Sequence, residues 1–110
     1  MYRLRVSRHA KADIKLVSYG DRRPWKDRQK FFDLVNRSLA DISAEPMKGK
    51  RHVIADMEVF TFHIRRWGRP AYHYFLYRVV GDLVEVGRLL HHAMEPQDGN
   101  IPREWPDNAA

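Results

Sequence analysis

The sequence predicts an α+β domain: an N-terminal strand and an α-helical hairpin packed on a twisted antiparallel β-sheet. Three observations predict it. Apolar residues recur at intervals of three and four between Ala10 and Ile42, they alternate from residue 58 onward, and a two-residue turn signal, Gly81-Asp82, splits the alternating part.

The opening residues Tyr2, Leu4 and Val6 alternate with Arg3 and Arg5, which is a strand with one buried face. Ser7 ends it and can cap the helix behind it, in which Ala10, Ile14 and Val17 fall on one side and Tyr19-Gly20 marks the end. Gly20-Asp21 is the break. Pro24 can open a second helix, where Phe32, Val35, Leu39 and Ile42 form a stripe widened by Phe31 and Leu34, and Pro46 with Gly49 closes it. A short connection predicts that the two helices return as a hairpin. Glu58 to Trp67, Ala71 to Val80 and Leu83 to His92 then read as three strands, with Trp67-Gly68-Arg69-Pro70 as a four-residue turn. Residues 1–96 make the domain, and the Pro- and Gly-containing residues 97–110 a tail with a loop or short turn-helix and a mobile end.

A chain of 110 residues has room for one hydrophobic core, and 44% hydrophobic residues supply it without staples. The absence of cysteine excludes a disulfide framework and thiolate metal sites. No apolar stretch approaches the roughly 20 residues of a membrane span, so a cytoplasmic protein without membrane contact is expected. A formal charge of +6 favours polyanions or an acidic partner.

Pairing Val80 with Leu83 places Arg78 opposite Glu85 and Tyr74 opposite Leu89, and pairing Arg66 with Ala71 extends the register. One face then collects Phe60, Phe62, Ile64, Phe75, Tyr77, Val79, Val84, Val86 and Leu90, the seat for the helices. The other holds Val59, Thr61, His63, Arg65, Tyr72, Tyr74, Leu76, Arg78, Leu83, Glu85, Leu89 and His91. Tyr and Arg among aliphatics on a sheet face suit a protein partner. The competing arrangement is that the tail, through Ile101 and Trp105, folds back over it.

Six histidines raise the possibility of a metal, but His91 and His92 are adjacent on a strand and point to opposite faces, so neither metal nor cofactor is expected. No Gly-rich phosphate loop follows a strand, and no Ser or Cys sits in a nucleophile context. Lys48, Lys50, Arg51 and His52 form a basic loop beside the sheet; with Arg65 they are the candidates for contact with nucleic-acid phosphate.

The run Ser-Arg-His-Ala-Lys-Ala-Asp-Ile at 7–14 resembles the strand-to-helix entry of the RelE/ParE toxin superfamily. The stretch His73-Tyr74-Phe75-Leu76-Tyr77-Arg78-Val79, followed by Gly81 through His91 with its Arg88-x-Leu90-His91, is similar to that superfamily's paired final strands. His73 four residues before Tyr77, and the ending Leu90-His91-His92-Ala93-Met94-Glu95, are similar to the ParE branch, although Glu95 and Gly87 depart from its pattern. The resemblance implies the toxin of a type II toxin–antitoxin module, plasmid-stabilising in type, that inhibits DNA gyrase without catalytic residues of its own. It implies a hetero-oligomer with a ParD-like acidic antitoxin that folds on binding and alone touches operator DNA. Tyr72, Tyr74, Leu76, Arg78 and Leu89 are then expected in the antitoxin groove, with Arg88 and His91 supporting the sheet and its end. The alternative within the superfamily is a RelE-like ribosome-dependent mRNA endoribonuclease using Lys48, Lys50, Arg51 and Arg65. An inactive adaptor that keeps the fold is a third.

Overall fold

Ser7 marks the first decision of the chain. Its Oγ accepts the Ala10 N–H at 3.0 Å, capping a helix, and donates to the Gly87 carbonyl at 2.8 Å, tying the helix entry to the far end of the sequence. The computed structural model describes residues 1–19, 25–66, 69–102 and 105, with side chains for 1–19, 28–64, 72–102 and 105. The elements are β1 (Arg3–Val6), α1 (Arg8–Tyr19), α2 (Trp25–Ala44), a 3-10 turn (Pro46–Lys48), β2 (Lys50–Ile54), β3 (Met57–Arg66), β4 (Arg69–Val80), β5 (Leu83–His91) and a second 3-10 turn (Asp98–Asn100). The expected break at Gly20-Asp21, the Pro24 helix start and the Trp67-Gly68 tip lie outside the described residues.

The α+β class is as expected: two helices lie on a five-stranded sheet of order β1-β5-β4-β3-β2. β2 to β5 run antiparallel, whereas β1 joins β5 in parallel, a pairing possible because the whole of the intervening chain makes the crossover. Arg3 clasps Asp82 of the β4–β5 turn through Nη2 and Oδ1 at 2.8 Å, fixing that register at the exposed edge. β2 is a strand where the sequence suggests a basic loop. Lys-Arg-His-Val-Ile has no apolar alternation, because an edge strand leaves much of both faces to solvent, and its hairpin turns through Ala55 and Asp56, both at positive φ.

Ala10 of α1 and Phe31, Val35 and Ile42 of α2 bury against Phe60, Ile64, Phe75, Tyr77, Val84, Val86 and Leu89. At about 1.5–3 kcal/mol for each large side chain this face dominates the stability. The opposite face has its own core: Val59, Tyr74, Leu76 and Leu90 with Trp105, flanked by Ile54, Met57 and Ile101. The tail is therefore docked through Ile101 and Trp105, over the face expected to await a partner.

The Val80↔Leu83, Arg78↔Glu85 and Phe60↔Tyr77 pairs agree with the register drawn from the turns. Beyond Tyr77 it shifts: Tyr77 pairs Val86 but Leu76 pairs Arg88, leaving Gly87 as an extra residue on β5. Tyr74 consequently faces Leu90 rather than Leu89, and these two leucines exchange sides, Leu89 joining the helix-side core and Leu90 the tail-side one. A second irregularity between His63 and Arg65 brings Arg66 to Arg69 instead of Ala71.

Candidate functional site

Of the five residues expected in the antitoxin groove, Tyr72 alone is open, at 70% exposure; Tyr74, Leu76, Arg78 and Leu89 are each 5% exposed or less. Leu89 is on the helix side because of the Gly87 bulge. Tyr74, Leu76 and Arg78 are under the tail: the Tyr74 hydroxyl donates to the Met94 carbonyl at 2.6 Å, and the Arg78 guanidinium is 5.1 Å from the centre of the Trp105 ring. Arg78 Nε donates to Glu85 Oε1 at 3.0 Å, and Arg5 reaches Glu85 Oε2 at 3.0 Å from the exposed edge. Nη2 of Arg78 lies 2.9 Å from Oε1 but off the hydrogen-bonding direction, so this buried charge leans on a single good hydrogen bond and the indole. The chain covers this groove itself, with Met94, Ile101 and Trp105.

The two runs that carry the family resemblance meet across the fold. Arg88 grips Asp13 with Nε to Oδ2 at 2.8 Å and Nη2 to Oδ1 at 3.3 Å, and the Leu89 N–H donates to the same Oδ2 at 3.0 Å. With the Ser7–Gly87 bond, this fixes the α1 entry on β5. Tyr77 is wholly buried and donates to the Pro46 carbonyl at 2.5 Å, holding the chain between α2 and β2 against the sheet; burial pushes its phenol up to about 12. A Cβ at Gly49 would overlap the Tyr77 hydroxyl, so the glycine that ends the helical hairpin is needed for close approach.

The basic candidates are only partly gathered. Lys48 lies 3.5 Å from Glu45 and Arg51 2.5 Å from Glu58, so two of the cations have carboxylate partners at the surface. His52 sits 3.1 Å from the Thr61 hydroxyl, its pKa lowered by burial and by the Lys50 charge. Arg65 is four positions along β3 from Thr61, the partner of Lys50, or roughly 13 Å at strand spacing. Its side chain lies outside the described residues.

Where β4 begins and β5 ends the structure assembles a cluster that sequence reasoning set aside. His91 and His92 do not diverge: their ring centroids are 4.4 Å apart, because β5 ends at His91 and the Met94 N–H closes a turn onto the His91 carbonyl. The ring of Tyr72 lies 6.5 Å from His91 at an interplanar angle of 7° and 5.6 Å from His92, and His73 meets His91 edge-on at 5.4 Å. The legible signal was the pair of cross-strand neighbours; the missing one was the strand's end, after which alternation no longer holds. Among the described residues no three His, Asp or Glu side chains converge as a metal would need. A separate cavity of about 290 Å³ opens between Arg5, Ser7, Arg8, Glu85 and Trp105. Among the described residues no helix is long and apolar enough to cross a membrane.

Compared with models of known protein families and with curated proteins, the chain matches no family model and no curated protein.

Proposed function

We propose that this chain is the toxin of a type II toxin–antitoxin pair, ParE-like, acting in the cytoplasm by capturing DNA gyrase and held inactive by an acidic antitoxin. The observation that carries the proposal is the Asp13–Arg88 grip with its Leu89 N–H bond, since it joins the two sequence runs on which the resemblance rests. A strand, two helices and a sheet with the β4–β5 hairpin in its interior support the same reading.

The antitoxin's place moves, because the expected groove is filled by the tail. An acidic extended segment finds a basic sheet edge instead at β2, where Lys50, Arg51 and Val53 are exposed and no strand among the described residues pairs the outer side. Ordering such a segment on binding is offset by ladder hydrogen bonds and charge complementarity.

Expression of the chain alone tests the target. Double-strand breaks with an SOS response, and inhibition of purified gyrase, are expected. Messenger RNA cut within codons, without DNA damage, rejects gyrase in favour of the ribosome-dependent nuclease; no growth defect of either kind leaves the inactive adaptor.

A further inference from the structure

Helix α1 divides its residues cleanly. Ala10, Ile14 and Val17 pack into the core, Ser18 is buried, and Asp13 turns to Arg88 and the Leu89 N–H. With 3.6 residues to a turn, the side left over carries Arg8, Lys11, Ala12, Lys15, Leu16 and Tyr19, all exposed. Leu16 is 70% and Tyr19 55% exposed, and neither belongs to either core. Ala12, Leu16 and Tyr19 follow one another at intervals of four and three, so they form one apolar row, roughly 10 Å long at helical rise. Arg28 of α2 lies over the Tyr19 ring, 5.1 Å from its centre, and ends the row with a cation.

The charge beside that row is unbalanced. Arg3, Arg51, Arg78 and Arg88 each hold a carboxylate, whereas Arg8, Lys11 and Lys15 have no carboxylate partner among the described residues. Asp13, the one acid in α1, is engaged on the sheet side. Arg8 stands in the first turn, where the helix dipole favours an anion, and no acid accompanies it there. Lys11 and Lys15 are one turn apart, a like-charge spacing that disfavours the helix by itself. Carboxylates brought by a partner relieve both.

We propose that the outer face of α1 is a docking surface for an acidic amphipathic helix of a partner protein. The occupant follows from the pattern. A helix repeats its side chains at the same three- and four-residue intervals, so its apolar stripe meets Ala12, Leu16 and Tyr19 while carboxylates one turn apart meet Lys11 and Lys15. Ala12, small and in the row, lets the two backbones approach. A phosphate backbone would pair with the cations and leave Leu16 and Tyr19 unused. An anionic membrane asks for a second anchor, which two apolar side chains projecting from a helix fixed on a sheet do not supply. The face lies over the β5 half of the sheet, away from β2, so it is separate from the edge proposed for the antitoxin and stands whatever the target.

Fluorescence anisotropy of the full chain tests it with a labelled helical peptide that carries leucines at intervals of three and four and glutamates beside them. A scrambled peptide of the same composition, a duplex RNA and vesicles of anionic phospholipid are the comparisons. The amphipathic peptide is expected to bind about tenfold more tightly than its scramble, with amide shifts in NMR spectra confined to α1. Lys11→Glu combined with Lys15→Glu should weaken it about tenfold and Leu16→Ser several-fold, all at exposed positions where the fold tolerates the change. Added salt should weaken the complex while the preference over the scramble remains. Equal binding of the two peptides would reduce the face to unspecific charge and overturn the proposal. Binding that survives the double charge reversal, tighter binding of the RNA or the vesicles than of the peptide, or no binding of the peptide overturns it as well.

Discussion

Replacing Gly87 should weaken the docking of the tail. A Cβ built there overlaps Trp105 Cζ2 and comes within 2.7 Å of Pro102 Cγ and 2.8 Å of Trp105 Cη2, so something must move by an ångström or so. The backbone of Gly87 is not in the left-handed region, and the cost is therefore one of space rather than of strain. Two responses compete. If the indole stays and its neighbours yield, overpacking costs about 1–3 kcal/mol; if it leaves, the loss is that of emptying a buried Trp site, about 3–5 kcal/mol. The cheaper response sets the outcome, so Gly87→Ala should cost about 1–3 kcal/mol and Gly87→Leu should stop at the larger figure, however bulky the residue. Urea unfolding followed by circular dichroism measures both. In a Trp105→Ala background the cost of Gly87→Ala should fall by about 1 kcal/mol or more, Pro102 remaining as the residual obstacle. Additivity of the two substitutions within about 0.5 kcal/mol would refute the account, as would a Gly87→Leu chain as stable as the wild type.

The other predictions concern buried polar groups. Tyr77→Phe leaves the Pro46 carbonyl without its donor and should cost about 1–3 kcal/mol in urea unfolding. Because burial raises the folded Tyr77 pKa from 10.0 to about 12, its contribution is intact below pH 10 and is lost as pH rises towards 12; the wild type should weaken over that window more steeply than Tyr77→Phe. Glu85→Leu strands Arg78 beneath Trp105 and should cost about 3–5 kcal/mol, whereas Arg78→Met leaves Glu85 with Arg5 and should cost about 1–3. The reverse order would disprove that assignment of partners. Asp13→Ala removes both Arg88 contacts and the acceptor for the Leu89 N–H, for about 2–4 kcal/mol, while Asp13→Asn, which still offers an oxygen, should lose less; equal thermal shifts for the two would contradict it.

The sequence by itself determined what depends on neighbours a few residues away. The Ser7 cap, the span of α1, the β4–β5 hairpin and its register from Val80 back to Tyr77 follow from backbone periodicity and turn chemistry, which act locally. Only the tertiary structure decided the parallel seat of β1, the strand character of Lys50–Ile54 and the fate of the second sheet face. That face reads as a partner's surface along the strands because its Tyr, Arg and Leu are covered by a residue 18 positions beyond Gly87. The bulge at Gly87 is a gap in β5 that the indole of Trp105 fills, and it turns Leu89 and Leu90 to opposite sides from those the alternation gives them. At the end of the same strand, alternation stops one residue before His92, and the ring swings to its neighbour. A period of two holds only where the ladder is unbroken, and what breaks it here is packing from elsewhere in the chain.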